Sequence, residues 1–226
     1  MISTAMSAAA EPPGRWPDIH SQSHMVTGDE FSAMNPWIAK AVIRVAVIVM
    51  AGIRVPYSLR SRGTKVVWNR NGRWGFILST LAMIGLLLPL IWAASPVFSF
   101  AEYPLTLGPL VLGIACLAGG LWLLYRSHRD LEANWSSTLQ IREHHRLVTQ
   151  GVYPRVRHPM YSAFLLYALG QVMVIPNWVA GPSSLVTFVI LIASRIRDEE
   201  GMMLNTFGQG YATYAARTRR LIPGVW

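Results

Sequence analysis

Two uninterrupted apolar runs constrain this chain most. Neither Trp74–Ser95 nor Pro104–Tyr125 contains a charged residue. As helix, a run of about 22 residues is about 33 Å long and matches a hydrocarbon core of about 30 Å. In lipid each backbone N–H and C=O must be satisfied within the protein, so a run of this kind is helical. Pro89 predicts a kink in the first run. Gly108, Gly113, Gly119 and Gly120 predict close helix approach in the second. Three further apolar runs flank these two. Pro36–Val55 carries Lys40 and Arg44, which makes it amphipathic. It reads as a span with a polar stripe turned to its neighbours, or as an interfacial helix. Tyr161–Ile175 and Pro182–Ser194 are shorter; as helix each reaches about 20–22 Å, short of a full span. Pro176-Asn177 and Gly181-Pro182 punctuate the turn between them. The fold class that follows is an all-α integral membrane protein with about five transmembrane helices and a C-terminal helical hairpin.

Composition agrees. The chain is 52% hydrophobic and 14% charged, where soluble domains carry roughly 25% charged residues. Net charge is +9, which could suit nucleic acid, but its placement favours membrane topology instead. Seventeen of the 20 lysines and arginines fall in residues 54–73, 126–160 and 195–226, and the connections 96–103 and 176–181 hold none. The positive-inside rule puts these three segments in the cytoplasm. With five spans the N-terminus is outside and the C-terminus is cytoplasmic. Residues 1–33 read as a disordered tail, with a possible helical turn near Phe31, and lack a signal-peptide pattern. Cys116 is the single cysteine, so it has no disulfide partner within the chain and reads as a small buried hydrophobe. His144-His145 has no accompanying His-Glu-x-x-His motif, and no metal site is expected. Asn134-Trp-Ser136 matches a glycosylation sequon by chance. His128 reads as a cap at the end of the third span. Trp37, Trp74, Trp92, Trp122, Trp135 and Trp178 read as interface-belt or lipid-facing residues.

Polar chemistry concentrates beside the hairpin. Leu147-Val-Thr-Gln-Gly-Val-Tyr-Pro-Arg-Val-Arg-His-Pro-Met-Tyr161 precedes its first arm, and Arg195-Ile-Arg-Asp-Glu-Glu200 closes the second. A helix leaving at Tyr161 returns near Arg195, so the two stretches meet. Arg195 and Glu199 are spaced to pair on one helix face. Alternatives stand beside these readings: positive-inside anchors for Arg155, Arg157 and His158, and a solvated charge ladder for Arg195, Arg197, Glu199 and Glu200. Tyr211, Tyr214 and Arg217 read equally well as an interfacial aromatic face.

The combination His145-x-Leu-Val-Thr-x-Gly-Val-Tyr-x-x-x-Arg-His-Pro-x-Tyr161, a hairpin, then Arg195…Glu199-Glu200…Phe207-Gly208-x-x-Tyr211-x-x-Tyr214 resembles the isoprenylcysteine carboxyl methyltransferase family, a relative of the phospholipid methyltransferases. The resemblance covers about residues 138–224. It implies methyl transfer from S-adenosyl-L-methionine, with S-adenosyl-L-homocysteine as product, in a cytoplasmic cofactor pocket at the membrane face. Carried over by position, His145, Leu147, Val148 and Tyr153 line the cofactor pocket. His158, Pro159, Met160 and Tyr161 form its next wall. Glu199 binds the cofactor and Arg195 holds the acceptor's carboxylate. Thr138 stands where relatives place a glutamine, with Gln140 two residues on.

These residue types suit the chemistry. A carboxylate can accept from ribose hydroxyls or pair with an ammonium. Arg157 or His158 can pair with a carboxylate. Tyr153 and Tyr161 can pack on adenine or face a sulfonium. Pro159 suits the first turn of the helix that follows. The expected division is a tail over 1–33, scaffold helices over 34–126 and a methyltransferase core over 127–226. The expected partners are the lipid bilayer and a lipophilic acceptor arriving from it. N-methylation of a phospholipid or other amine, or a non-catalytic membrane scaffold that kept the pocket, are the alternative functions.

Overall fold

The computed structural model describes residues 35–61, 66–69, 73–131, 140–142 and 147–224. Within them six α-helices carry the fold: α1 (Pro36–Ser61), α2 (Arg73–Ala94), α3 (Leu107–Leu131), α4 (Pro159–Val174), α5 (Ala180–Phe207) and α6 (Gln209–Arg217). Two short strands, β1 (Val66–Asn69) and β2 (Gln140–Arg142), pair antiparallel. They tie the α1–α2 connection to the α3–α4 connection, a link absent from the all-helical expectation. Val66, Val67 and Trp68 are strand-favouring types, but so short a stretch carries too little periodicity to announce a strand.

Among the described residues three helices, α2, α3 and α5, are long and apolar enough to cross a membrane. α4 is apolar but only 16 residues long. α1 has 26 residues, yet Lys40, Arg44 and Arg54 interrupt its apolar character. Its basic residues contact neighbouring helices, as a polar stripe turned to its neighbours would. Arg44 donates to the Ala93 carbonyl of α2, Lys40 lies 5.3 Å over the Trp92 ring, and Arg54 lies 4.9 Å over the Phe164 ring. Trp92 is therefore fully buried, against the lipid-facing expectation, while Trp37, Trp74, Trp122 and Trp178 are exposed. The N-terminal tail, Asn134, Trp135 and His144 lie outside the described residues.

Small residues set the helix spacing. A Cβ on Gly120 of α3 would stand 2.8 Å from the Tyr167 backbone nitrogen of α4, and one on Gly113 would stand 2.6 Å from Val174. Without a hydrophobic drive between helices in lipid, such close approach supplies the dispersion contact that holds them. α2 and α5 meet through Gly85, whose carbonyl accepts from Ser183 Oγ at 3.0 Å and Ser184 Oγ at 2.9 Å. Pro89 is buried and α2 continues through it.

The α4–α5 hairpin turns on Asn177. Its Oδ1 accepts from the Val179 and Ala180 backbone N–H groups at 3.1 and 2.9 Å, satisfying free donors at the start of α5. Its Nδ2 donates to the Phe98 carbonyl at 2.7 Å. At the hairpin's open end, α5 runs on past Ser194, where the apolar run stops, as far as Phe207. Arg195–Glu200 are thereby displayed on continuous helix beside the start of α4.

Candidate functional site

The described part of the polar stretch begins at Leu147 and folds as a turn against the end of α3. Gly151 has φ 70°, a left-handed conformation that favours glycine, and a Cβ there would strike the Asp130 carboxylate. The Val152 N–H donates to Asp130 Oδ2 at 2.9 Å. His128, one turn from the end of α3, is buried with Nδ1 2.9 Å from the Leu124 carbonyl within the same helix.

The chain after α6 then closes over this turn. Val156 forms a parallel bridge with Arg219. The backbone N–H groups of Arg157 and His158 donate to the carbonyls of Arg219 and Arg220 at 2.7 and 3.0 Å. Arg157 serves as the strut of this closure. Its Nε and Nη2 donate to Glu200 Oε1 at 2.9 and 2.6 Å, and its Nη1 donates to the carbonyls of Ala215, at 2.7 Å, and Thr218. Arg220 grips the same carboxylate, with Nη2 2.8 Å from Glu200 Oε2. Arg157 is therefore committed within the protein, which leaves His158, of the two cations considered for a ligand carboxylate, as the less committed.

His158 sits between both glutamates. Nδ1 is 3.4 Å from Glu199 Oε2 and Nε2 is 3.5 Å from Glu200 Oε1; at that distance Nε2 is ion-paired but not hydrogen-bonded. Burial opposes the imidazolium, but Glu199 and Glu200 outweigh it and hold the pKa above the ordinary value. The ring stacks on Tyr161, 5.6 Å between centroids, and the Tyr161 hydroxyl donates to Glu199 Oε1. Arg195 departs from the helix-pair expectation. Its Nη2 donates across to Ser79 Oγ of α2 at 3.0 Å, and among the described residues it forms no ion pair with Glu199. Spacing on a helix allows that pair; the neighbouring helix offered another partner.

These groups surround one cavity of about 700 Å³, within the range of small-molecule sites. Leu147, Val148 and Tyr153 line it, as do His158, Pro159, Met160 and Tyr161, and Arg195 and Glu199 on α5. Each expected site residue except His145, which lies outside the described residues, thus faces the same space. Tyr211 and Tyr214 also line it. Tyr211 is buried and Tyr214 donates to the Tyr153 carbonyl at 2.8 Å, so this pair is cavity wall rather than an interfacial face. Burial pushes the Tyr211 phenol up to about 12 and raises that of Tyr153, so both stay protonated.

Three polar atoms on this wall are buried without a hydrogen-bond partner among the described residues: His158 Nε2, Arg195 Nε and Tyr211 Oη. Beyond them the wall turns apolar, with Val47, Met50, Leu86, Leu87 and Leu90 from α1 and α2. Arg54 and Ser79 join the lining from the same two helices. Sequence reading passed over both. An arginine inside an otherwise apolar helix is itself the signal that could have found Arg54; nothing local marks Ser79.

Comparison with known proteins bears on this part of the chain. The model of the isoprenylcysteine carboxyl methyltransferase (ICMT) family matches residues 110–205. Protein-S-isoprenylcysteine O-methyltransferase B of Arabidopsis thaliana is 39% identical over 87 residues, 37% of this chain and 42% of the relative. The A form of the same plant is 36% identical over 91 residues, 38% and 44% of the two chains. The Homo sapiens enzyme is 32% identical over 81 residues, 36% and 28%. The matched segments span less than half the length of these relatives. A solved structure of the eukaryotic intramembrane Ras methyltransferase ICMT covers 70% of this chain and 55% of that one, at 22% identity and TM-score 0.48. Over residues 110–205, which include α4 with its approach and most of α5, this chain is similar to the isoprenylcysteine carboxyl methyltransferase family.

Proposed function

We propose that this protein is an integral membrane methyltransferase that moves a methyl group from S-adenosyl-L-methionine to the carboxylate of a lipophilic acceptor. The observation that carries the reading is that one cavity is lined both by polar groups, Glu199, His158, Tyr153 and Arg195, and by apolar side chains of α1 and α2. When bound, the cofactor supplies an electrophilic methyl on a sulfonium and leaves as S-adenosyl-L-homocysteine. Glu199 accepts from its hydroxyls or pairs with its ammonium. His158 pairs with its carboxylate. Tyr153 and Tyr161 pack on its rings, with Leu147, Val148, Pro159 and Met160 completing the enclosure.

Arg195 orients the acceptor, its guanidinium anchored by the bond from Nη2 to Ser79 Oγ. Methyl transfer is an in-line displacement, so positioning and exclusion of water dominate. A carboxylate acceptor is already ionised and needs no general base, whereas a protonated amine would need one. The chain divides in this reading into a tail over 1–33, a scaffold over 34–126 and a methyltransferase core over 127–226. The charge of the basic segments supports a cytoplasmic side for the cavity and the C-terminus.

Calorimetry on detergent-purified full chain tests this. S-adenosyl-L-homocysteine binds the parent protein; Glu199→Ala loses that affinity, and Arg195→Ala keeps it while losing methyl transfer. Absence of binding to intact, monodisperse protein would overturn the methyltransferase reading. Equal loss of affinity in both variants would overturn the division of roles.

A further inference from the structure

Arg54 belongs to α1, outside the segment matched to the methyltransferase family. Its side chain turns toward α4 and lies over Phe164, whose ring stacks on Phe188 of α5 at 5.1 Å. It lines the same cavity as Arg195. Neither arginine has a carboxylate at ion-pair distance among the described residues. A cation within an apolar helix is costly unless a ligand, a partner or water meets it.

Among the described residues the charges around the cavity do not cancel. Arg157 is balanced by Glu200. Glu199 is engaged by Tyr161 and His158. Arg54 and Arg195 remain, two guanidinium charges in a largely apolar wall. If the methyl donor binds as proposed above, its sulfonium and ammonium outnumber its carboxylate and add one more positive charge. A lipid with a single carboxylate neutralises only one of the three. Uncompensated charge in a low-dielectric space is expensive.

We propose that the acceptor is a lipophilic dianion: Arg195 holds the carboxylate that is methylated, and Arg54 holds a second anionic group beside it. The identity of the methylated group rests on the methyltransferase reading; the second anionic contact does not. The hydrocarbon chain lies along Met50, Leu86, Leu87 and Leu90. Guanidinium and carboxylate pair bidentately, which gives orientation as well as affinity.

The experiment uses the full chain in detergent and two probes, n-tetradecylsuccinate with two carboxylates and palmitate with one. Calorimetry is run with and without S-adenosyl-L-homocysteine. The dicarboxylate binds at least about tenfold more tightly, a difference of about 1.4 kcal/mol. Arg54→Gln abolishes that preference and leaves palmitate binding within about twofold, while Arg54→Lys, which keeps the charge, retains part of it. Equal affinity of the parent protein for both lipids would overturn the proposal, as would an Arg54→Gln variant that weakens both alike. Failure of S-adenosyl-L-homocysteine to bind would sink the methyltransferase reading, while the lipid preference would still report on Arg54.

Discussion

Removing the Glu200 carboxylate should destabilise the protein more than removing any exposed charge near it. Glu200 accepts from Arg157 at 2.9 and 2.6 Å and from Arg220 at 3.0 and 2.8 Å. The Glu200 and Arg157 side chains are only 15% and 10% exposed, so solvent screens their attraction weakly. Breaking a buried pair by deleting one partner costs about 3–5 kcal/mol, because the remaining charge loses its compensation. Arg157 keeps its bonds to the Ala215 and Thr218 carbonyls, which places Glu200→Ala toward the lower part of that range. At about 2–4 °C per kcal/mol for a protein of this size, the midpoint of thermal unfolding in detergent falls by roughly 6–12 °C. Arg157→Ala also loses the bonds to the Ala215 and Thr218 carbonyls and should lower the midpoint further, and the double variant should fall by less than the sum of the two, since they share the Arg157–Glu200 interaction. The exposed Arg197→Ala is the control. If Glu200→Ala moved the midpoint no more than Arg197→Ala, the strut assigned to Arg157 and Glu200 would be wrong.

Two further outcomes follow from neighbouring features. His158 has a raised pKa in the folded protein, so its contribution is fully present below the unfolded value of about 6.5. That contribution is lost as pH rises through the folded value. Thermal midpoints should therefore decline as pH rises above about 6.5, and His158→Gln should flatten that slope; an unchanged slope would remove His158 as its source. Gly120→Ala puts a Cβ 2.8 Å from the Tyr167 backbone nitrogen and should cost about 1–3 kcal/mol through overpacking, whereas Gly52→Ala meets nothing within 4 Å. Equal thermal midpoints for the two variants would mean that α3 and α4 are not in contact there.

Much of the fold was legible from particular runs. Trp74–Ser95 and Pro104–Tyr125 are long, uncharged and apolar, and lipid leaves such runs one local solution. The hairpin was legible because Pro176-Asn177 and Gly181-Pro182 interrupt hydrophobicity. The ends were not. α5 continues beyond Ser194 to Phe207 because helix persists through charged residues that hydropathy treats as a stop. The β1–β2 ribbon joins strands separated in sequence by all of α2 and α3, a pairing that no local pattern reports.

The site divides the same way. Sequence alone determined which chemical groups flank the hairpin: Arg157, His158 and Tyr161 on one side, Arg195, Glu199 and Glu200 on the other. Turn geometry already required the two sets to approach. Only the tertiary structure decided how they are spent. Whether a carboxylate is a strut or an open acceptor depends on which cations reach it, and those come from distant positions. Glu200 is bound by Arg157 and Arg220, while Glu199 meets Tyr161 and His158 and faces the cavity. Arg195 turns to Ser79 on α2 instead of Glu199 one turn away, and Arg54 becomes cavity wall because α1 packs against α4. Residue type is local, but the partner of a charge is set by packing across the bundle.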